Sequence, residues 1–184
     1  MPNQFLEVEG ASVSFGKREA QVRALRGVSQ FFERGTLSMI MGPCGSGKTT
    51  LLSLLGCLLS PDEGTVFVDG VAVNGLSEAE RTTVRQKKIS FVFQAFRFFH
   101  SLSAIDNVAL GFELRDPTLP GRIEMAKDLL VRFGLGEKLN QKPYELSPGE
   151  KQRVAISRAL AGNHHRNFNY DTLIPALSVL IASV

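Results

Sequence analysis

Gly42-Pro43-Cys44-Gly45-Ser46-Gly47-Lys48-Thr49 follows the spacing G-x-x-x-x-G-K-[ST] without a gap. That spacing suits one chemistry. Glycines let the backbone curl until several N–H groups point at a single anion. A helix starting at the end of such a loop adds its positive N-terminal end. Lys48 is placed to reach the outer phosphates of a nucleoside triphosphate, and the Thr49 hydroxyl, with Thr50 beside it, to meet the phosphates and a Mg²⁺ ion. Cys44 occupies a position where a small residue suffices, and no second cysteine lies near enough in sequence to support a redox role. A glycine-rich turn with a chance lysine is the competing interpretation, and the flanking elements weigh against it.

Those elements are a short apolar run, Thr36 to Met41, with the pattern of a buried strand entering the loop, and a leucine-dense helix over Thr49 to Leu59. Upstream, Phe5 to Val13 alternates as a strand and Val28 to Phe32 continues in that style. Pro61-Asp62-Glu63-Gly64 is a turn. Thr65 to Asp69 and Val71 to Val73 flank Gly70 as a hairpin. Ser77 and Glu80 have capping-box spacing for a short helix, and Ile89 to Phe93 is another strand, ending at Gln94. Ser103 with Asp106 caps a further helix. Ile123, Ala126, Leu130 and Phe133 share one helical face, with Gly134 placed to end it. Ser147 to Leu160 runs from loop into helix. Alternating strands and helices make the class α/β.

The chain has 184 residues, net charge +3, 43% hydrophobic and 21% charged residues. That is ordinary globular usage, so whole-chain disorder is excluded and the charge is too weak to argue for nucleic acid. Cys44 and Cys57 have neither metal-ligand nor disulfide-framework spacing, which favours a reduced, cytosolic compartment. Met1 to Gly10 lacks the apolar core of a signal peptide. Leu173 to Val184 is broken by Pro175 and too short to span a bilayer. Any membrane link is therefore expected through a partner.

Three further stretches accompany the phosphate loop in a fixed order: Phe15 within Val13-Ser14-Phe15-Gly16, Phe91-Val92-Phe93-Gln94, and Leu146-Ser147-Pro148-Gly149-Glu150-Lys151-Gln152-Arg153-Val154-Ala155-Ile156-Ser157-Arg158-Ala159-Leu160. Together they resemble the nucleotide-binding domain of ABC transporters, from about Phe5 to Gly162. Leu51-Leu52-Ser53-Leu54-Leu55-Gly56, Asp62-Glu63-Gly64, Asp69-Gly70, Leu76-Ser77 and the Gln94-Ala95-Phe96 stretch are closer still to the ATPases of macrolide-export, lipoprotein-release and cyanobacterial glycolipid-export systems. The resemblance implies a phosphate-loop NTPase fold with an antiparallel β subdomain and a helical subdomain, incomplete at its C-terminus. It also implies ATP and Mg²⁺ as ligands, with Phe15 stacked on adenine and residues Gly42 to Thr50 around the phosphates. Lys48 and Gln94 would serve catalysis, and Thr49 and Gln94 the metal. Ser147, Gly149 and Glu150 would contact ATP held by a second copy. The implied assembly is a head-to-tail homodimer on a transmembrane permease, peripheral on the inner face of the plasma membrane. The cluster Phe96, Phe98, Phe99 would face that permease or form a local core.

Two departures stand out. The family signature usually has glycine where this chain has Pro148, and often glutamine at Glu150. Proline removes a backbone donor, so the loop is expected to work only if that N–H is not a phosphate contact. After Gly162 the family expects an apolar strand ending in Asp-Glu, for metal and water, and later a histidine. Here the chain reads Asn163-His164-His165-Arg166-Asn167-Phe168-Asn169-Tyr170-Asp171-Thr172. No apolar run precedes Asp171, no glutamate follows it, and the adjacent histidines match no later position. Residues 1–162 are thus read as the nucleotide-binding domain and 163–184 as a divergent tail, from a frameshifted or truncated reading frame. The expected function is an ATP-binding transporter subunit. The alternative is a catalytically dead nucleotide-binding fragment or a pseudogene product, since the acidic pair is absent. DNA-repair and translation ATPases of the same superfamily carry coiled-coil insertions or tandem domains that are not visible here.

Overall fold

The N-terminal alternation becomes a long strand, β1 (Gln4–Phe15), in a computed structural model that describes residues 4–16, 21–162 and 179–181. β1 runs antiparallel to β2 (Val22–Glu33) on one side, with Leu6 opposite Phe32 and Val13 opposite Leu25. On the other side it pairs with β3 (Glu63–Val68), with Val8 opposite Val66. β3 folds back through the Asp69-Gly70 turn into β4 (Val71–Ala72), giving the order β2-β1-β3-β4. One face of this sheet buries Val8, Val13, Leu25, Val66 and Val68. Onto that core packs α1 (Lys48–Leu55), which contributes Leu51, Leu54 and Leu55. Burying a leucine is worth about 1.5–3 kcal/mol, so this short helix is held by packing rather than by propensity.

The leucine-dense helix stops at Leu55 rather than Leu59. Gly56 is its C-cap and Cys57 turns into the left-handed region, φ 53°. A larger correction concerns Thr36 to Met41. No strand forms there; Leu37, Met39 and Met41 are 90, 77 and 80% exposed. Ile40 alone of that stretch packs against the core. Among the described residues no neighbouring strand supplies ladder partners to this segment, and a strand is a pairing before it is a sequence. α2 (Glu78–Lys88) begins with the Ser77–Glu80 capping box and ends on an ion pair from Lys88 to Asp69.

Up to Ile89 the chain forms one compact unit, and Ser90 opens a second. The second begins with β5 (Ser90–Val92), shorter than the expected strand, and continues into α3 (Ala104–Arg115), α4 (Arg122–Arg132), a 3-10 turn at Pro143–Glu145, and α5 (Pro148–Ala161). The Ser103–Asp106 box caps α3. In α4 the buried face is Ala126, Leu129 and Leu130, whereas Ile123 is 47% exposed. The apolar stripe is therefore rotated from the expected one. Gly134 ends the helix in a left-handed conformation, as expected. α3 buries Val108 and Phe112, and α5 buries Val154, Ala155 and Leu160. A further strand, β6, covers Val179–Ile181. The expectations for His164, His165 and Asp171 lie outside the described residues.

Candidate nucleotide site

Among the described residues, three helices start with a serine whose hydroxyl caps the helix and an acid three residues later that returns the bond: Ser77–Glu80, Ser103–Asp106 and Ser147–Glu150. α1 starts otherwise. Its N-cap is Gly47 in the left-handed region, φ 87°, with no side-chain cap and no acid in the first turn. The first N–H groups of a helix lack intrahelical partners, so an uncapped start preceded by glycines is a set of donors aimed at an anion. Glycine is forced at position 47. A Cβ there would lie 2.5 Å from the Ala24 carbonyl oxygen and 2.9 Å from Leu25 Cδ2. The loop is thereby pressed against β2, which positions it on the sheet.

Lys48 completes this charge pattern. Its Nζ donates to the carbonyls of Gly42 and Pro43, both at 2.8 Å, and so bridges the loop across its own mouth. Ser46 N–H donates to Pro43 O at 3.3 Å and closes the turn. Thr49 is exposed in the first helical turn, and its carbonyl accepts from the Ser53 hydroxyl at 2.8 Å. Cys44 is an exposed free thiol, and Cys57 a buried one whose pKa burial pushes up. These donors fit a polyphosphate: a concentrated positive end, an adjacent ammonium and a hydroxyl for a metal. Among the described residues no group of three or more His, Cys, Asp or Glu could hold a metal ion by itself.

Phe15 closes β1 opposite Val22 and is 47% exposed, so it is not a core residue. Its chain neighbours Ser14 and Gly16, with Ser12, Gln21, Arg23, Asp62 and Glu63, line an open polar cleft of about 520 Å³. The cleft's own groups are paired: Ser14 N–H donates to Asp62 Oδ2 at 2.7 Å, and Arg23 meets Glu63 at 3.3 Å.

The remaining candidates belong to the second unit. Gln94 is exposed, in the turn that follows β5 after Phe93. There Phe96 N–H donates to Phe93 O at 2.9 Å, and Phe96 and Phe98 stack at 5.8 Å. Phe99 is exposed while Phe96 and Phe98 are half-buried. Ser147 is the N-cap of α5, and its backbone N–H donates to Glu150 Oε2 at 2.7 Å. Those bonds from Ser147 hold the Glu150 carboxyl below the usual range, with Lys138 and Arg153 adding to the effect. Pro148 is the first helical residue. There the N–H would have no intrahelical partner and the fixed φ already suits a helix, so proline removes nothing the helix uses. Gly149 follows in the first turn. The capping role of Glu150 was visible as S-x-x-E spacing, a signal overshadowed by the signature motif around it.

An uncapped glycine-lysine helix start on a β platform, followed by a capped signature helix, defines a phosphate-loop nucleotide-binding protein. Residues 25–165 match the family described as ABC transporter, and the chain belongs to it as an ATP-binding member. It is 42% identical over 158 residues to an uncharacterised ABC transporter ATP-binding protein of Methanocaldococcus jannaschii, covering 86% of this chain and 70% of that protein. It is 39% identical to the lipoprotein-releasing system ATP-binding protein LolD of Bacteroides thetaiotaomicron, over 86% of this chain and 71% of LolD. Against the macrolide export ATP-binding/permease protein MacB of Aggregatibacter actinomycetemcomitans it is 39% identical over 84% of this chain, which is 24% of that longer protein. Among solved structures, the ATP-binding cassette MJ0796, a dimer in a post-hydrolysis state bound to ADP and Pi, matches with TM-score 0.81 and 37% identity, covering 85% of this chain and 69% of that one.

Proposed function

We propose that this chain binds Mg-ATP through residues Gly42 to Thr50 and, as a homodimer on a membrane permease, couples ATP binding and hydrolysis to export. The observation that carries the reading is the start of α1: Gly47 leaves it uncapped, no acid stands in its first turn, and Lys48 lies across the loop mouth. Bound there, polyphosphate would accept from the loop N–H groups and from Lys48, which would turn from the carbonyls of Gly42 and Pro43. The Thr49 hydroxyl would ligate Mg²⁺, the ion that neutralises charge on the phosphates. Phe15, exposed at the end of β1, would stack on adenine. The parts of Gln94, Ser147, Gly149 and Glu150 in metal and partner-ATP contact rest on the family resemblance. So does peripheral location at the inner membrane face; among the described residues no helix is long and apolar enough to cross a membrane. The names of LolD and MacB support export as the task.

Titration with a fluorescent ATP analogue in the presence of Mg²⁺, for the chain and for Lys48→Ala, tests this. A charged hydrogen-bonding group is worth about 1.5–3 kcal/mol, so the variant should bind about 10- to 100-fold more weakly. Equal binding by the two would sink the assignment of the loop. Phosphate release in the same samples separates a hydrolysing subunit from a chain that only binds nucleotide.

A further inference from the structure

The loop from Gln94 to α3 is folded against its own preferences. Phe96 and Arg97, neither of them glycine, both take left-handed backbone conformations, φ 56° and 46°. Non-glycine residues adopt that region only when surroundings hold them there, and two in succession need a specific restraint. The restraint is Arg158 of α5. Its Nη2 donates to Phe96 O at 2.5 Å and its Nη1 to Arg97 O at 3.0 Å, while the guanidinium lies 5.2 Å from the centre of the Phe98 ring. A planar fork can reach two adjacent carbonyls and an aromatic face at once, and an ammonium cannot. Burial pushes the Arg158 pKa down, so this charge gives up hydration to hold backbone oxygens.

The far end of the loop is held separately. Asn107 of α3 is fully buried; its Nδ2 donates to the carbonyls of Phe99, Leu102 and Ser103, and its Oδ1 accepts from Phe99 N–H at 3.0 Å. α3 and α5 are pressed together at Gly111, where a Cβ would sit 2.6 Å from the Arg158 carbonyl oxygen and 3.0 Å from Ala161 Cβ. The segment after Gln94 is thus pinned to α3 at one end and to α5 at the other. α5 is the helix that begins with Ser147 and Gly149.

We propose that Arg158 is a positioning residue that locks the Gln94 loop to α5, so that nucleotide contact at the Ser147 end of α5 is transmitted to Gln94 through the carbonyls of Phe96 and Arg97. The transmission half rests on the ATP-binding role proposed above; the lock itself does not.

Amide hydrogen exchange on the full chain tests both halves, with Arg158→Lys, which keeps the charge, beside Arg158→Met. Without nucleotide, residues 95–102 should exchange about tenfold faster in Arg158→Lys, and faster still in Arg158→Met, while residues 149–157 stay within about twofold of the parent. Affinity for the ATP analogue should stay within about tenfold of the parent, because the variants leave Gly42 to Thr50 intact and lose only the coupling to residues 95–102. Mg-ATP should slow exchange at 95–102 in the parent and no longer do so in Arg158→Lys. Unchanged exchange at 95–102, or acceleration spread equally over α3 and α5, would overturn the lock and leave Arg158 an ordinary packing residue. Mg-ATP protection that persists in Arg158→Lys would overturn the transmission. If the parent binds no nucleotide, the ATP-binding role and the transmission both fall, while exchange without nucleotide still decides the lock.

Discussion

Ser147 carries two demands, as helix cap and as candidate phosphate contact, and Pro148 shows how they coexist. The Ser147 hydroxyl accepts from Glu150 N–H at 3.3 Å, and Pro148 occupies the one helical position where a missing N–H costs nothing. The proline departs from the family signature but suits the helix. Pro148→Gly should therefore lower stability by about 0.4–1 kcal/mol, because glycine frees the unfolded chain. Urea unfolding measures this, and a rate assay alongside should show no gain in ATP turnover. A several-fold gain would mean that the proline is a defect in the nucleotide contact. At this scale the sequence was informative where the signal is short: the Ser77–Glu80 and Ser103–Asp106 caps each lie within four residues, while the same spacing at Ser147–Glu150 is masked by the signature motif around it. Arg158 was legible only as part of a motif. Its partners stand 61 and 62 residues earlier, and no local pattern announces that two carbonyls there will be left-handed and need a donor.

Elements were legible where one face meets a core, and not where pairing decides. β1, the β3–β4 hairpin and α2 formed where alternation and capping placed them. α2 buries no residue fully; Val84 packs against the core, and the helix's ends and charges supply the rest of its hold. Asp69 is the anchor there. Its carboxylate lies 2.5 Å from Lys88 Nζ and 2.7 Å from Arg34 Nη2, joining the end of α2 to the end of β2. The Lys88 hydrogen bond, with help from Arg34, holds its pKa below the ordinary carboxylate value. Asn tolerates the left-handed backbone of residue 69, so Asp69→Asn removes the charge without adding strain. Both pairs are partly exposed, so the expected loss at neutral pH is only about 1 kcal/mol. A depressed folded-state pKa stabilises above the unfolded value of about 3.9 and stops doing so as pH falls through the folded value. The deficit of Asp69→Asn should thus be constant from pH 7 to about 5, begin to shrink near the unfolded value of about 3.9, and be gone only once pH lies below the depressed folded value. Urea midpoints from pH 7 downward would show it, and a deficit that does not shrink at all below about pH 4 would mean that packing rather than charge is lost.

For the whole molecule the consequential feature is one that apolarity alone misrepresented. Thr36 to Met41 is apolar enough for an interior strand, yet Leu37, Met39 and Met41 stand outward just before the phosphate loop while Ile40 turns in. The chain spans about 70% of the length of its archaeal relative, and strand pairing is a property of the neighbours rather than of the run itself. Burying a leucine or methionine is worth about 1.5–3 kcal/mol, and exposed apolar side chains grouped on a surface favour contact with a second chain. The purified protein is therefore expected to self-associate without nucleotide. Leu37→Thr with Met39→Lys removes apolar area and places a charge on the same surface, so it should weaken that association by about tenfold or more. Light scattering over a concentration series, done in the Lys48→Ala background to exclude ATP-driven dimers, reads the effect. If the double variant associates as strongly as its parent, the exposed strip is not the surface responsible, and the apolar residues before the phosphate loop must be covered in solution.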